Sequence, residues 1–184
     1  IDPERAADLN AVVEAARALP QSPTARVEYN RVSFTVGGPE TARDIDAALS
    51  SLPEYARVGV RYSSADMTVS RAPGGVLAID QVISLAADPS VSHVEITQDL
   101  LRDAGEYSVD VDGEDNASPY DLGLALARAG VDELPGAWVV VSVRYDDHWV
   151  VSFYIDQPLR LEPDRWLTSE QAAQFTSGWE AGQK

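Results

Sequence analysis

The hydrophobic period of this chain changes repeatedly along its length, and that alternation limits the fold more than any other feature. Four segments carry apolar residues at i, i+3, i+4 and i+7: Leu9, Val12, Val13 and Ala16; Ile45, Ala48, Leu49 and Leu52; Ile79, Val82, Ile83 and Ala86; Leu122, Ala125, Leu126 and Ala129. This spacing paints one apolar stripe on a helix of three to four turns. Each segment closes near a breaker, namely Pro20, Pro53, Pro89 or Gly130. Between them the period drops to two. Val32, Phe34 and Val36 alternate with polar residues, as do Val58, Val60 and Tyr62; Val94 and Ile96; Tyr107, Val109 and Val111; Val139, Val141, Val143 and Tyr145; and Trp149, Val151, Phe153 and Ile155. Alternation of this kind predicts strands with one buried face.

The pattern occurs twice. Val60-Arg61-Tyr62 returns as Val143-Arg144-Tyr145, each followed by a polar turn and a strand bearing Val-Ser. The expected fold is therefore α+β, built from duplicated α-β-β-α-β-β units. Helices are expected on one face of antiparallel sheet, as two ferredoxin-like sandwiches or one continuous eight-stranded sheet. The expected divisions are 1–72, 73–156 and a tail, 157–184. Pro158 and Pro163 make the tail's first part an extended strap. Thr168 and Gln171 make a capping box for a short helix ending at Gly178.

The stretch Arg31-Val32-Ser33-Phe34-Thr35-Val36-Gly37-Gly38, followed by a helix and Ala56-Arg57-Val58-Gly59-Val60, resembles the strand–glycine–helix–strand core of the BON module of bacterial envelope proteins. The resemblance covers about half of the chain. It implies an envelope-associated, non-enzymatic module. The chain begins Ile1-Asp2-Pro3 without methionine. With no cysteine present, this favours an exported or surface-anchored protein, trimmed after a signal or lipid anchor as in a lipoprotein.

Composition excludes several chemistries. The absence of cysteine removes disulfides, thiolate metal sites and cysteine nucleophiles. Lys184 is the only lysine, which removes a buried Schiff-base lysine. The 30 acidic against 14 basic residues leave a net charge of −16, unfavourable for nucleic acid and suited to a basic partner. No apolar run is long enough to span a membrane. No P-loop, nucleophile elbow or dinucleotide fingerprint is present, and no cofactor is expected.

Four groups of residues carry candidate chemistry. Asp110, Asp112, Glu114 and Asp115 offer the oxygen ligands calcium prefers, although Gly113 is misplaced for an EF-hand loop. A solvated loop near a helix N-terminus accounts for the same acids. Arg61 and Arg144, at matched positions, together with Arg57 suit bidentate carboxylate binding. A polar sheet face with arginines paired to local acids is the plainer reading. Asp146-Asp147-His148 juxtaposes a carboxylate and an imidazole, as acid–base work requires, but also reads as an ordinary hairpin tip. Trp166, Phe175 and Trp179 anchor the tail on the second repeat or face a partner.

Three functions follow as expectations. The first is a non-catalytic binding or scaffolding module of an exported, cell-envelope protein, its partner a protein or envelope component. The second is an acidic inhibitor or immunity-type protein masking a basic partner. The third is a carboxylate-based enzyme or calcium-binding module.

Overall fold

Local caps start the helices where the sequence places them. In the computed structural model, which describes residues 2–99, 105–144, 148–157, 159, 161 and 167–184, helix α1 (Pro3–Arg17) begins at Asp2, whose carboxylate accepts from the Glu4 amide at 3.1 Å. Helix α2 (Pro39–Leu49) has proline at its first position, where the missing N–H costs nothing. Helix α4 (Pro119–Arg128) combines that device with Ser118, whose hydroxyl accepts from the Asp121 amide at 3.0 Å. Helix α5 (Ser169–Gly182) carries the capping box in full. The Gln171 amide donates to the Thr168 hydroxyl at 3.1 Å, and the Thr168 amide donates to Gln171 Oε1 at 2.9 Å. Helix α3 (Ile79–Ala86) completes the set.

Among the described residues eight strands run between the helices: β1 (Thr24–Glu28), β2 (Arg31–Thr35), β3 (Gly59–Ser63), β4 (Met67–Arg71), β5 (Val91–Gln98), β6 (Tyr107–Gly113), β7 (Trp138–Val143) and β8 (Trp149–Tyr154). The fold is α+β, and the element order α-β-β-α-β-β occurs twice before α5. The chain divides into two compact units, Ile1–Ile79 with Thr97–Gly105, and Asp80–Ile96 with Glu106–Lys184. The division between the units is not a single cut along the chain.

The sheet pairing is mixed, which corrects the antiparallel expectation. In the first unit β1–β2 and β3–β4 are antiparallel, whereas β2–β3 is parallel. In the second unit β6–β7 is parallel and β7–β8 antiparallel. The cause lies in α2 and α4. A helix that crosses over the sheet returns the chain in its original direction, and such a crossover joins parallel strands. Within each unit, strands that follow one another in sequence are also neighbours in the sheet. That order is not the split arrangement of a ferredoxin-like sandwich.

Each unit has its own core. In the first, Val32, Phe34, Val60, Tyr62 and Val69 lie on one sheet face and are buried, as are Leu9, Val12 and Ala16 of α1 and Ile45 and Leu49 of α2. Phe34 and Tyr62 stack with centroids 5.3 Å apart. Arg71 is buried in the same unit. Its guanidinium lies over the Tyr55 ring, 4.0 Å from the centroid, and donates to the carbonyls of Tyr55 and Ala72. The Tyr55 hydroxyl donates in turn to Asp46. In the second unit, Phe153 of β8 meets Phe175 and Trp179 of α5 edge-on at 5.9 and 5.4 Å.

Helix α5 crosses α4 so closely that backbone meets backbone. Gly123 on α4 and Gly178 on α5 supply the room, because a Cβ at either would strike the facing helix's backbone. Gly178 therefore sits inside α5, which continues to Gly182, and does not end it. No described helix is long and apolar enough to cross a membrane.

Candidate functional site

A cleft of about 410 Å³ opens in the second unit beside β8 and α5. Thr176, Trp179 and Glu180 of α5 line it, with Gln183 at the C-cap of that helix. Their spacing is i, i+3, i+4 and i+7, one continuous stripe of the helix. The end of β8 supplies Phe153 and Tyr154, and the chain beyond it supplies Ile155, Gln157 and Leu159. Asp132 enters from the 3-10 turn Val131–Glu133 that follows α4. Gly130, in the left-handed region at φ 74°, reverses the chain into that turn.

The walls are aromatic and the charges are negative. Phe153 and Trp179 are buried, while Tyr154 stays 49% exposed and packs against Trp138 at 4.4 Å. Asp132 and Glu180 are both exposed, and the described lining holds no basic residue. Two exposed carboxylates in an aromatic-lined cleft attract a cation and repel an anion. The described lining contains no histidine, cysteine, serine or lysine. Its one aliphatic hydroxyl, on Thr176, donates to the Ala172 carbonyl of its own helix at 3.0 Å.

Glu114 and Asp115 of the acidic loop, in the same unit, line a second, more open hollow with Asp88, Ser90, Asn116, Asp121 and Arg128. Alternation along β6 puts Asp110 and Asp112 on one strand face, while Glu114 and Asp115 follow the strand in the turn. Among the described residues no three carboxylate or imidazole groups converge on a point fit for a metal ion. The four acids grouped in the sequence as calcium ligands are thus not brought together. Partial burial, with Asp112 nearby, raises the Asp110 pKa, although Ser108 opposes the shift.

The three arginines singled out in the sequence fall in two different units. Arg57 pairs with the buried Asp8 of α1 at 3.4 Å, a tie within the first unit. Arg144 is exposed just past β7, in the second unit. Arg61 lies on the polar face of the first unit's sheet, in the cross-strand row Arg26–Ser33–Arg61–Ser70. Arg26 and Arg31 join it there, and sequence reasoning missed both. Glu28 sits among the three. Its hydrogen bond from Arg31 at 2.8 Å leads the effects that hold its carboxyl below the usual range, with the charges of Arg26 and Arg61 adding to it. The signal was present in the β1–β2 alternation, which puts residues 26, 28, 31 and 33 on one face.

Phe175 and Trp179 are buried against Phe153. Trp166, Asp146 and Asp147 lie outside the described residues, and His148 is exposed. No protein-family model, curated protein or solved structure matches the chain.

Proposed function

We propose that this protein is a non-catalytic binding module which receives a cationic side chain, arginine or lysine, from a basic protein partner in the cleft beside α5. One observation carries the reading: Asp132 and Glu180 stand beside the aromatic wall of Phe153, Tyr154 and Trp179 in a cleft free of basic groups among its described residues. The net charge of −16 supports it by drawing a basic partner toward the surface before docking. An exported, envelope-associated setting remains part of the proposal, supported by the BON-like stretch between residues 31 and 60.

Trp179 gives a direct test. A short oligo-arginine peptide should change the tryptophan fluorescence saturably, whereas an oligo-glutamate peptide should not. Glu180→Gln and Asp132→Asn should each weaken that binding up to about fivefold, the worth of one exposed ion pair. Asp115→Asn lies outside the cleft and removes the same unit of charge, so it should have little effect. Equal weakening by all three variants would show that net charge alone attracts the peptide and would refute the cleft.

A further inference from the structure

Strand β1 ends the strand order, bonded to β2 alone among the described strands. An open edge is a template for another strand unless it is blocked. The β1–β2 hairpin turns through two residues, Tyr29 and Asn30, with Glu28 opposite Arg31. Such a turn makes the flanking pair a hydrogen-bonded one, and the alternation that follows points Glu28, Arg26 and Thr24 toward β2. The amide and carbonyl of Val27 therefore face outward. Its side chain is 47% exposed, and Tyr29 beside it is 80% exposed.

From this edge we propose that the protein self-associates, β1 pairing antiparallel with β1 of a second copy about a two-fold axis at Val27. Three features choose that occupant and that register. The outward groups of Val27 meet those of the partner copy's Val27 and form the reciprocal bonds of one narrow pair. The two valine side chains cover each other on the same face. Above all, Arg26 then stands opposite Glu28 of the other copy, and Glu28 opposite its Arg26. Opposite charges in cross-strand pairs stabilise, and like charges in the same place oppose pairing. A shift of the axis by one residue to Arg26 sets two guanidinium groups face to face. The short strand thus selects one register and matches itself, as an isologous two-fold interface requires. This inference does not depend on the cleft, which belongs to the other unit.

Sedimentation equilibrium over a wide concentration range reads the outcome. The wild-type mass should climb from one chain toward two. Val27→Pro removes the outward N–H without touching the ladder to β2, and proline is tolerated on an edge strand. That variant should keep its circular dichroism and stay monomeric. Arg26→Glu sets carboxylate against carboxylate and should also be monomeric. Glu28→Arg sets guanidinium against guanidinium and should be monomeric alone. A mixture of Arg26→Glu with Glu28→Arg restores both opposite-charge pairs and should recover the dimer. A monomeric wild type at every concentration overturns the proposal, as does a Val27→Pro or Arg26→Glu chain that dimerises as well as wild type. Failure of the mixture to associate, with both chains folded by circular dichroism, overturns the register.

Discussion

Replacing Gly178 by alanine should destabilise the second unit by about 2 kcal/mol. A Cβ on Gly178 would lie 2.0 Å from the Tyr120 carbonyl oxygen, 2.8 Å from its carbon and 3.0 Å from its Cα. Carbon and oxygen rest at about 3.3 Å or more, so the shortfall exceeds ~1 Å. Every obstructing atom is backbone, and no side chain can rotate out of the way. Helix α5 must lift from α4, and Phe175 and Trp179 lift with it from Phe153. Overpacking of this kind costs about 1–3 kcal/mol and sometimes more. Alanine's better helix propensity returns about 1 kcal/mol, which leaves the net loss near the upper part of that range less the return. Gly123→Ala should behave alike, since its Cβ would lie 2.3 Å from the Phe175 carbonyl oxygen. The double variant should cost less than the sum, because the first alanine already parts the helices. Urea unfolding followed by tryptophan fluorescence isolates the effect, as the described tryptophans, Trp138, Trp149 and Trp179, all belong to the second unit. Ser177→Ala, one residue away and exposed, should change stability by less than about 0.5 kcal/mol. A Gly178→Ala chain as stable as wild type would refute the close backbone crossing.

Burial keeps the Tyr55 and Tyr62 phenols protonated beyond the usual tyrosine range, helped at Tyr55 by its bond to Asp46. The folded chain therefore holds protons that the unfolded chain releases near pH 10. Stability should be full below about pH 10 and fall as pH rises beyond it, seen as a dropping urea midpoint. The Tyr62 hydroxyl makes no hydrogen bond of good geometry, so Tyr62→Phe should leave stability unchanged or raise it, and should flatten that alkaline fall. Arg71→Ala empties a buried site and strips donors from the Tyr55 and Ala72 carbonyls, at a cost of about 3 kcal/mol measured by far-UV circular dichroism in urea. Arg71→Met, closer in volume, should lose distinctly less. Ser118→Ala should cost about 1 kcal/mol by leaving the Asp121 amide without its cap.

Much of the local structure was legible before any tertiary contact was known. The stripe Leu9–Val12–Val13–Ala16 is the buried side of α1, and Ser118-Pro119 marks the start of α4 to the residue. The alternation of Val139, Val141 and Val143 gives the buried side of β7. Periodicity shows which side of an element avoids water, and caps show where a helix begins, because both are settled within a few residues of chain. Gly178 was misread for the same reason. A glycine after an apolar helical run looks like a terminus, and only the nearness of the Tyr120 carbonyl explains one in the middle.

Which element lies beside which is a different kind of information. The parallel pairing of β2 with β3 follows from the crossover through α2, and either hand of pairing satisfies the same alternating sequence. Arg61 was marked by its repeat in the chain, yet its neighbours Arg26 and Arg31 became visible only through strand register. The cleft is the clearest case. Asp132, Tyr154 and Glu180 lie far apart in sequence, and none belongs to a motif. Short-range pattern and composition set the elements, their apolar faces, their caps and the chemistries excluded by cysteine and charge. The tertiary structure alone decided pairing direction, the glycine crossing and the cleft, since each depends on non-local contacts that many sequences with the same periodicity would arrange differently.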